Sequence, residues 1–195
     1  MNVRREPPPL AALVQRGASQ ALERLSKISP LAWRLEPVDW DVPPQDALYM
    51  VPRGGTGLEK LFGSAFSMPG AAVLAVFSES TAASLTQNVL SSYGSTSMIT
   101  ETQAVGEISN ILVNAIGGVL ADACKFSFFL PAPDVFHATK TDLLEKLRHA
   151  VIQLQGPGQK PPNLSRVSLR SADFECVLLV LLGESWIEAV AKAKR

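Results

Sequence analysis

The segment from residue 100 to about residue 123 constrains the fold most, because apolar residues recur along it at the spacing of an α-helix. A helix with so broad an apolar stripe has to bury that stripe against other parts of the chain. The residues of the stripe are Val105, Ile108, Ile111, Leu112, Ala115, Ile116, Val119 and Leu120. The sequence therefore predicts a long amphipathic helix in the core of a folded domain.

The elements on either side of this helix follow a similar order twice, which suggests a duplicated unit with pseudo-two-fold symmetry. Hairpin-linked strands favour a mostly antiparallel sheet packed with long amphipathic helices, an α+β fold. The predicted helices cover 10–28, 78–90, 100–123, 139–153 and 184–194. The predicted strands cover 31–42, 47–51, 60–66, 71–77, 126–130, 166–170 and 174–182, and 91–97 reads as a polar linker.

The domain organisation follows from the same pattern. Prolines and charged residues crowd positions 1–9, so we expect a disordered lead-in there. Residues 10–195 are then one domain, with half-repeats at about 10–95 and 98–195. A chain of 195 residues, 47% of them hydrophobic, is long and apolar enough to build such a core.

The charge balance argues against two classes of partner. Lysine plus arginine and aspartate plus glutamate number 18 each, whereas a general binder of nucleic acid or of an anionic membrane needs a basic excess. The N-terminus MNVRREPPPL lacks the apolar region of a signal peptide, and no apolar run reaches the roughly 18 residues of a membrane helix. We therefore expect a cytoplasmic protein that binds neither nucleic acid nor membrane.

Cysteine and histidine give little sign of a metal or redox site. Cys124 and Cys176 lie among apolar residues and are expected to be buried, reduced thiols. His137 and His149 have no further ligand at metal-binding spacing, so we expect no intrinsic metal or cofactor.

Four polar residues share the other face of the predicted long helix. Gln103, Glu107, Asn110 and Asn114 follow one another at steps of four, three and four residues. A carboxylate beside a carboxamide can bind a polar partner or hold a water molecule. Asparagine is a mediocre helix former, so two asparagines on an exposed helical face are unexpected. The plain alternative is a solvated face without a function.

The segment EISNI at 107–111 resembles the EIGNI signature of the CheC/CheX/FliY group of bacterial response-regulator phosphatases. The pattern of that family is Asp or Ser, three residues, Glu, two residues, Asn, twenty-two residues and Pro. Twenty-two residues separate Asn110 from Pro133 in this chain, and Gln103 stands where the family has Asp or Ser.

A second stretch carries the resemblance into the first half of the chain. GASQALERLSKI at 17–28 is similar to the GAGNAATALSKL-type stretch near the start of CheC-like chains. In that register Ala12 and Gln15 occupy the places of a first-half Glu and Asn. The resemblance therefore implies that the first-half site is lost and the second-half site is kept.

The resemblance implies a phosphatase that removes the phosphoryl group from the aspartyl phosphate of a CheY-like receiver domain. Glu107 and Asn110 would be its catalytic residues, with Asn110 orienting the attacking water and Glu107 pairing with a lysine of the partner. Gln103 and Asn114 would lie at the rim of the contact, and Pro133 would shape its edge. The expected Mg²⁺ belongs to the phosphorylated partner. The family also implies a CheD-like deamidase as a further partner, and both monomers and homodimers occur in it.

Two other interpretations remain open at this stage. The chain would be a non-catalytic CheC-like module that binds a signalling or flagellar-switch partner, a reading that the missing first-half site and Gln103 favour. It would otherwise be a relative in fold alone, with a different function.

Overall fold

A computed structural model describes residues 9–28, 32–47, 60–93, 99–125, 127, 131–171 and 174–193. Within this part of the chain, six strands form one antiparallel sheet, with helices on both faces. The elements of the first half are α1 (Pro9–Ile28), β1 (Arg34–Leu35), α2 (Pro44–Ala47), β2 (Lys60–Met68), β3 (Ala71–Ser78) and α3 (Glu79–Tyr93). Those of the second half are α4 (Glu101–Cys124), β4 (Asp134–Thr139), α5 (Lys140–Leu154), β5 (Asn163–Arg170), β6 (Glu175–Leu182) and α6 (Glu184–Ala193).

The sheet itself displays the duplication. Its strand order is β1-β5-β6-β3-β2-β4. When each strand is exchanged for its counterpart in the other half, the result is the same order read from the opposite edge. The hairpins β2–β3 and β5–β6 meet at the centre, where β3 pairs with β6. The edge strand of each half pairs with the hairpin of the other half. Strand β1 pairs with β5, and β4 pairs with β2. The predicted α+β fold with a pseudo-two-fold duplicated unit is confirmed.

Both faces of the central strands are buried, and this gives the domain two apolar layers. Side chains such as Phe66, Phe77 and Leu178 face a core shared with α1, α3, α4 and α6. Residues on the opposite face, such as Leu74 and Leu179, pack against α5 and the end of α2. The near-continuous apolar sequences of β3 and β6 follow from this double burial.

Helix α4 lies within the larger core and packs beside α1. At their crossing, a Cβ atom added to Gly17 would lie 2.7 Å from the Cα atom of Ile116, so glycine is needed for this close approach. The stripe residues Ile108, Leu112 and Ile116 are buried. One long face of α4 is therefore fixed in the core, and the opposite face has to point outward.

The length and apolar composition of α4 alone would allow it to cross a membrane, but most of the relevant stretch is buried inside the fold. An uninterrupted apolar run of that length does not occur in α4, and the helix meets the criterion on its mean hydropathy. Polar residues such as Glu107, Asn110 and Asn114 interrupt the apolar stretch, so its high mean hydropathy does not appear as a continuous run in the sequence. Its burial is that of a core helix in a folded domain.

Residues 31–42 were predicted as one strand, but regular pairing is confined to β1 and a single bridge from Asp39 to Arg166. Pro37 has no backbone N–H to donate, and the register against β5 shifts by one residue between Leu35 and Asp39. The predicted strand at 47–51 is also wrong at its first residue, because Ala47 ends α2. Residues 48–51 lie outside the described residues.

Three further differences concern the ends of elements. Helix α3 continues through Tyr93, into the predicted polar linker. The predicted strand at 126–130 falls almost wholly outside the described residues, and Ser127, the one residue described there, is not in a strand. Strand β4, in contrast, was not predicted. The short helix α2 was not predicted either. The remaining hairpins and the five longer helices were predicted, with bounds that differ by a few residues.

Candidate functional site

The start of α4 is fixed by a capping box between Thr100 and Gln103. The hydroxyl oxygen of Thr100 accepts a hydrogen bond from the Gln103 backbone N–H at 3.2 Å. In return, Oε1 of Gln103 accepts hydrogen bonds from the Thr100 backbone N–H at 2.9 Å and from its hydroxyl at 3.1 Å. These bonds satisfy backbone donors that the first helical turn would otherwise leave unpaired. Gln103, the residue that departs from the family pattern, thus has a structural role at the helix start.

Beyond the cap, the outward face of α4 carries the predicted polar residues. Glu107, Asn110 and Asn114 are exposed, whereas Ile108 and Leu112, which alternate with them along the helix, are buried. Within the described residues, no cation forms an ion pair with Glu107. Its carboxylate is therefore available to a cation from outside the chain.

An open groove of about 390 Å³ lies along this face. It is lined by Gln103, Gly106, Glu107 and Asn110 of α4 and by Pro131, Ala132 and Pro133 of the segment that leads into β4. The pairing of β4 with β2 holds this segment beside α4. The three residues of the sequence motif, Glu107, Asn110 and Pro133, therefore line one groove although 22 residues separate the last two.

The two walls of the groove come close together at Gly106. A Cβ atom added at Gly106 would lie 3.4 Å from Cγ2 of Val135 and 4.0 Å from Cγ of Pro133. These are ordinary contact distances, so the first residues of the β4 segment pass directly over this position. Gly106 and the residues beside Pro133 were not singled out from the sequence, because their role depends on a pairing between the two halves.

Asn110 and Asn114 are joined by hydrogen bonds on the exposed face. Nδ2 of Asn114 donates to Oδ1 of Asn110 at 2.7 Å and to the main-chain carbonyl of Asn110 at 2.8 Å. Asn114 does not line the groove itself. Its spacing of four residues from Asn110 is the one sequence signal that could have predicted this contact.

The corresponding residues of the first half have a different use. Ala12 is exposed and has no polar side-chain atom, and Gln15 is half-buried. Oε1 of Gln15 accepts a hydrogen bond from the backbone N–H of Val38 at 3.0 Å, which ties α1 to the segment after β1. The amide of Gln15 thus serves the fold and not a surface site.

Among the described residues, the histidines and cysteines do not form a second site of this kind. His137 pairs with Glu79 at 2.9 Å and stacks on Phe62, and no group of three or more possible metal ligands occurs among the described residues. Cys124 and Cys176 are free cysteines, and burial raises the pKa of both thiols. Raised thiol pKa values disfavour the thiolate, which is the reactive form.

No family model matches the sequence, and no curated protein matches it at a significant level. Solved structures, in contrast, match over almost the whole chain. FliY from Thermotoga maritima has a TM-score of 0.63 at 11% identity, with 98% of this chain and 100% of that chain covered. FliM from H. pylori, in its complex with SpeE, has a TM-score of 0.60 at 11% identity and coverages of 97% and 98%.

The chemotaxis protein CheX from Desulfovibrio desulfuricans is also similar, with a TM-score of 0.55 at 12% identity and coverages of 88% of this chain and 99% of that chain. The chain therefore folds as a CheC-like domain of the CheC/CheX/FliY type. The resemblance stated from the sequence is confirmed at the level of the fold.

Proposed function

We propose that this protein is a phosphatase that hydrolyses the aspartyl phosphate of a phosphorylated, CheY-like receiver domain. The observation that carries the proposal is the groove in which Glu107, Asn110 and Pro133 meet. Its supports are the CheC-like fold, the EISNI segment with its spacing to Pro133, and the exposure of both polar side chains. In this proposal the protein acts in the cytoplasm.

The chemistry needs little from this chain beyond position. An aspartyl phosphate is an activated acyl phosphate, and the receiver brings its own Mg²⁺ and a lysine to the phosphoryl oxygens. The oxygen of a water molecule attacks phosphorus, the bond between phosphorus and the aspartyl oxygen breaks, and inorganic phosphate and a free carboxylate result. Phosphoryl transfer of this kind depends mainly on alignment and charge stabilisation.

Asn110 supplies the alignment in this proposal. A carboxamide can accept a hydrogen bond from the water and donate one to the water or to a phosphoryl oxygen, and it does not titrate. It therefore orients the water without acting as a base, as a glutamine does in small GTPases. Glu107, which has no cation beside it in the described part of the chain, pairs with the lysine of the receiver and fixes the docked position.

Substitution of Asn110 tests the proposal directly. Asn110→Ala should lower kcat for phosphoryl loss by about 100-fold, which is typical when one positioned polar group is removed from an active site. The thermal midpoint should stay near the wild-type value, because Asn110 is exposed. Receiver binding should persist, because Glu107 fixes the docked position in this proposal. Gln20→Ala, which removes an exposed amide from α1, is the matched control and should leave the rate unchanged. An unaltered rate in Asn110→Ala would refute the mechanism.

A second candidate function is a non-catalytic module that binds a signalling or flagellar-switch protein. The similarity to FliY, and to FliM in its complex with SpeE, favours this candidate, as does the use of Gln15 in the fold. A CheD-like deamidase would be a partner in the same sense. Stable binding of such a partner, together with an unchanged rate of phosphoryl loss from a panel of phosphorylated receivers, would support the module and exclude the phosphatase.

A further inference from the structure

The pair of hydrogen bonds from Asn114 to Asn110 acts on the side chain that the proposed reaction depends on. Oδ1 of Asn110 lies 2.7 Å from Nδ2 of Asn114, and the second bond, to the main-chain carbonyl at 2.8 Å, anchors Nδ2 of Asn114 to the helix. Both distances lie at the short end of the range for N–H···O hydrogen bonds. Asn114 is thus held by the backbone and in turn holds the carboxamide of Asn110.

We propose that Asn114 is a positioning residue that sets the orientation of the Asn110 carboxamide, an inference that rests on the proposed phosphatase function. The terminal torsion of an asparagine side chain is broad and roughly two-fold, so an unrestrained carboxamide can exchange its oxygen and nitrogen ends. The bond from Asn114 selects the state in which Oδ1 faces Asn114. The opposite end, Nδ2, then has no acceptor among the described residues and is left to an incoming ligand.

This orientation suits an attacking water. A carbonyl oxygen has two lone pairs, so Oδ1 can accept one hydrogen bond from Asn114 and a second from the water. Nδ2 keeps its donors for a phosphoryl oxygen. The acceptor and the donors needed at the reaction centre are therefore fixed in one plane before the receiver docks, which removes an entropic cost from the reaction step.

The stability of the free chain gives no reason for asparagine at position 114. The side chain is exposed and α4 is regular there, so alanine, which has the higher helix propensity, should be tolerated or mildly stabilising. A lower rate in Asn114→Ala would therefore not result from unfolding.

The test uses the kinetics of the full chain with a phosphorylated receiver. Asn114→Ala should lower kcat about tenfold and leave KM within about twofold, because the alignment of the water changes and the docking surface does not. Asn114→Gln, which can still donate to Oδ1, should recover part of the loss. Asn114→Asp, whose carboxylate cannot donate, should recover none. Asp122→Ala, an exposed change two turns further along α4, is the control and should leave kcat unchanged.

A double-mutant cycle separates positioning from direct contact with the partner. If Asn114 acts through Asn110, adding Asn114→Ala to Asn110→Ala should cause no further loss. A loss that adds in full, or one that appears in KM alone, would overturn the inference.

The order of the Asn110 side-chain amide in the free protein, measured by ¹⁵N relaxation, gives a readout that does not depend on activity. It should fall in Asn114→Ala and be retained in Asp122→Ala. An active wild-type protein whose Asn110 amide stays equally ordered after Asn114→Ala would overturn the inference alone. A wild-type protein that does not accelerate phosphoryl loss would overturn the proposed function, and the inference with it.

Discussion

At the scale of single residues, Glu107 and Asn110 lie side by side but differ in what they can do. Glu107 is a charged group without a cationic partner among the described residues, so it can contribute to docking through charge. Asn110 is neutral at every pH and already restrained by Asn114, so it can contribute through alignment. Neighbouring positions on one helical face thus divide the work, with Glu107 contributing to binding and Asn110 to the chemical step.

The separation predicts a distinct kinetic effect for Glu107→Gln. This change keeps the shape of the side chain and removes its charge, so KM for the phosphorylated receiver should rise roughly three- to tenfold while kcat changes less. The dependence of KM on ionic strength should also become weaker, because one screened charge pair is lost. Steady-state kinetics at low and high salt would measure both effects. Equal loss in kcat and kcat/KM, with an unaltered salt dependence, would contradict the docking role.

At the scale of elements, α4 combines a core helix with a surface site. Its apolar stripe is buried, its start is fixed by the capping box of Thr100 and Gln103, and its free face lines the groove. The capping box explains in physical terms why glutamine fits the first position of the motif. Gln103 orders the first turn of α4, and Glu107 and Asn110 follow one and two turns later.

This role of Gln103 predicts a stability effect that the catalytic residues should not show. Gln103→Ala should lower the free energy of unfolding by about 0.5–1 kcal/mol, because half of the capping box is lost. Gln103→Glu should retain most of the stability, since glutamate can accept the same hydrogen bonds. Urea denaturation would measure the difference. If Gln103→Ala is as stable as the wild type but binds the receiver poorly, Gln103 is a partner contact and not a cap.

At the scale of the whole molecule, the exchange of edge strands joins the two halves and builds the groove. Strand β4 belongs to the second half but pairs with β2 of the first half, and this pairing holds Pro133 beside α4. The equivalent region of the first half uses Gln15 to bond Val38. Two halves with the same topology therefore carry one candidate site and one structural contact.

The contrast between the halves predicts opposite effects for two related substitutions. Gln15→Ala should lower the free energy of unfolding by about 1 kcal/mol, because the half-buried N–H of Val38 loses its acceptor, and should leave the dephosphorylation rate unchanged. Asn110→Ala should do the reverse. Thermal or urea unfolding, paired with the phosphatase assay, would compare them. A loss of rate in Gln15→Ala with unchanged stability would show that the first half takes part in the reaction.

Much of this architecture could be predicted from the sequence because its signals are local. The apolar stripe of α4, the SMPG turn between β2 and β3 and the continuous apolar run of β6 each follow from residues close together in the chain. Strand β4 was missed because its sequence, DVFHAT, follows two prolines and lacks a clear apolar alternation. It is a strand because β2, in the other half, provides its hydrogen-bond partners.

The candidate site could be predicted in part for the same reason. Helical spacing placed Glu107, Asn110 and Asn114 on one face, and the resemblance to the CheC/CheX/FliY pattern added Pro133. The capping role of Gln103 is local and has a sequence signal, the Thr-x-x-Gln spacing from Thr100, but this signal was missed. The groove itself and the proximity of Gly106 to the β4 segment depend on tertiary contacts. They could not be read from a spacing rule.

The rate of phosphoryl loss from a phosphorylated receiver, with Mg²⁺ present, decides whether this protein is a phosphatase. A panel of receivers should include at least one whose dephosphorylation the wild-type protein accelerates. For that receiver, Asn110→Ala should lose about 100-fold in kcat while Gln20→Ala keeps the full rate. A wild-type protein that binds receivers without accelerating phosphoryl loss, or an Asn110→Ala variant as fast as the wild type, would contradict the account.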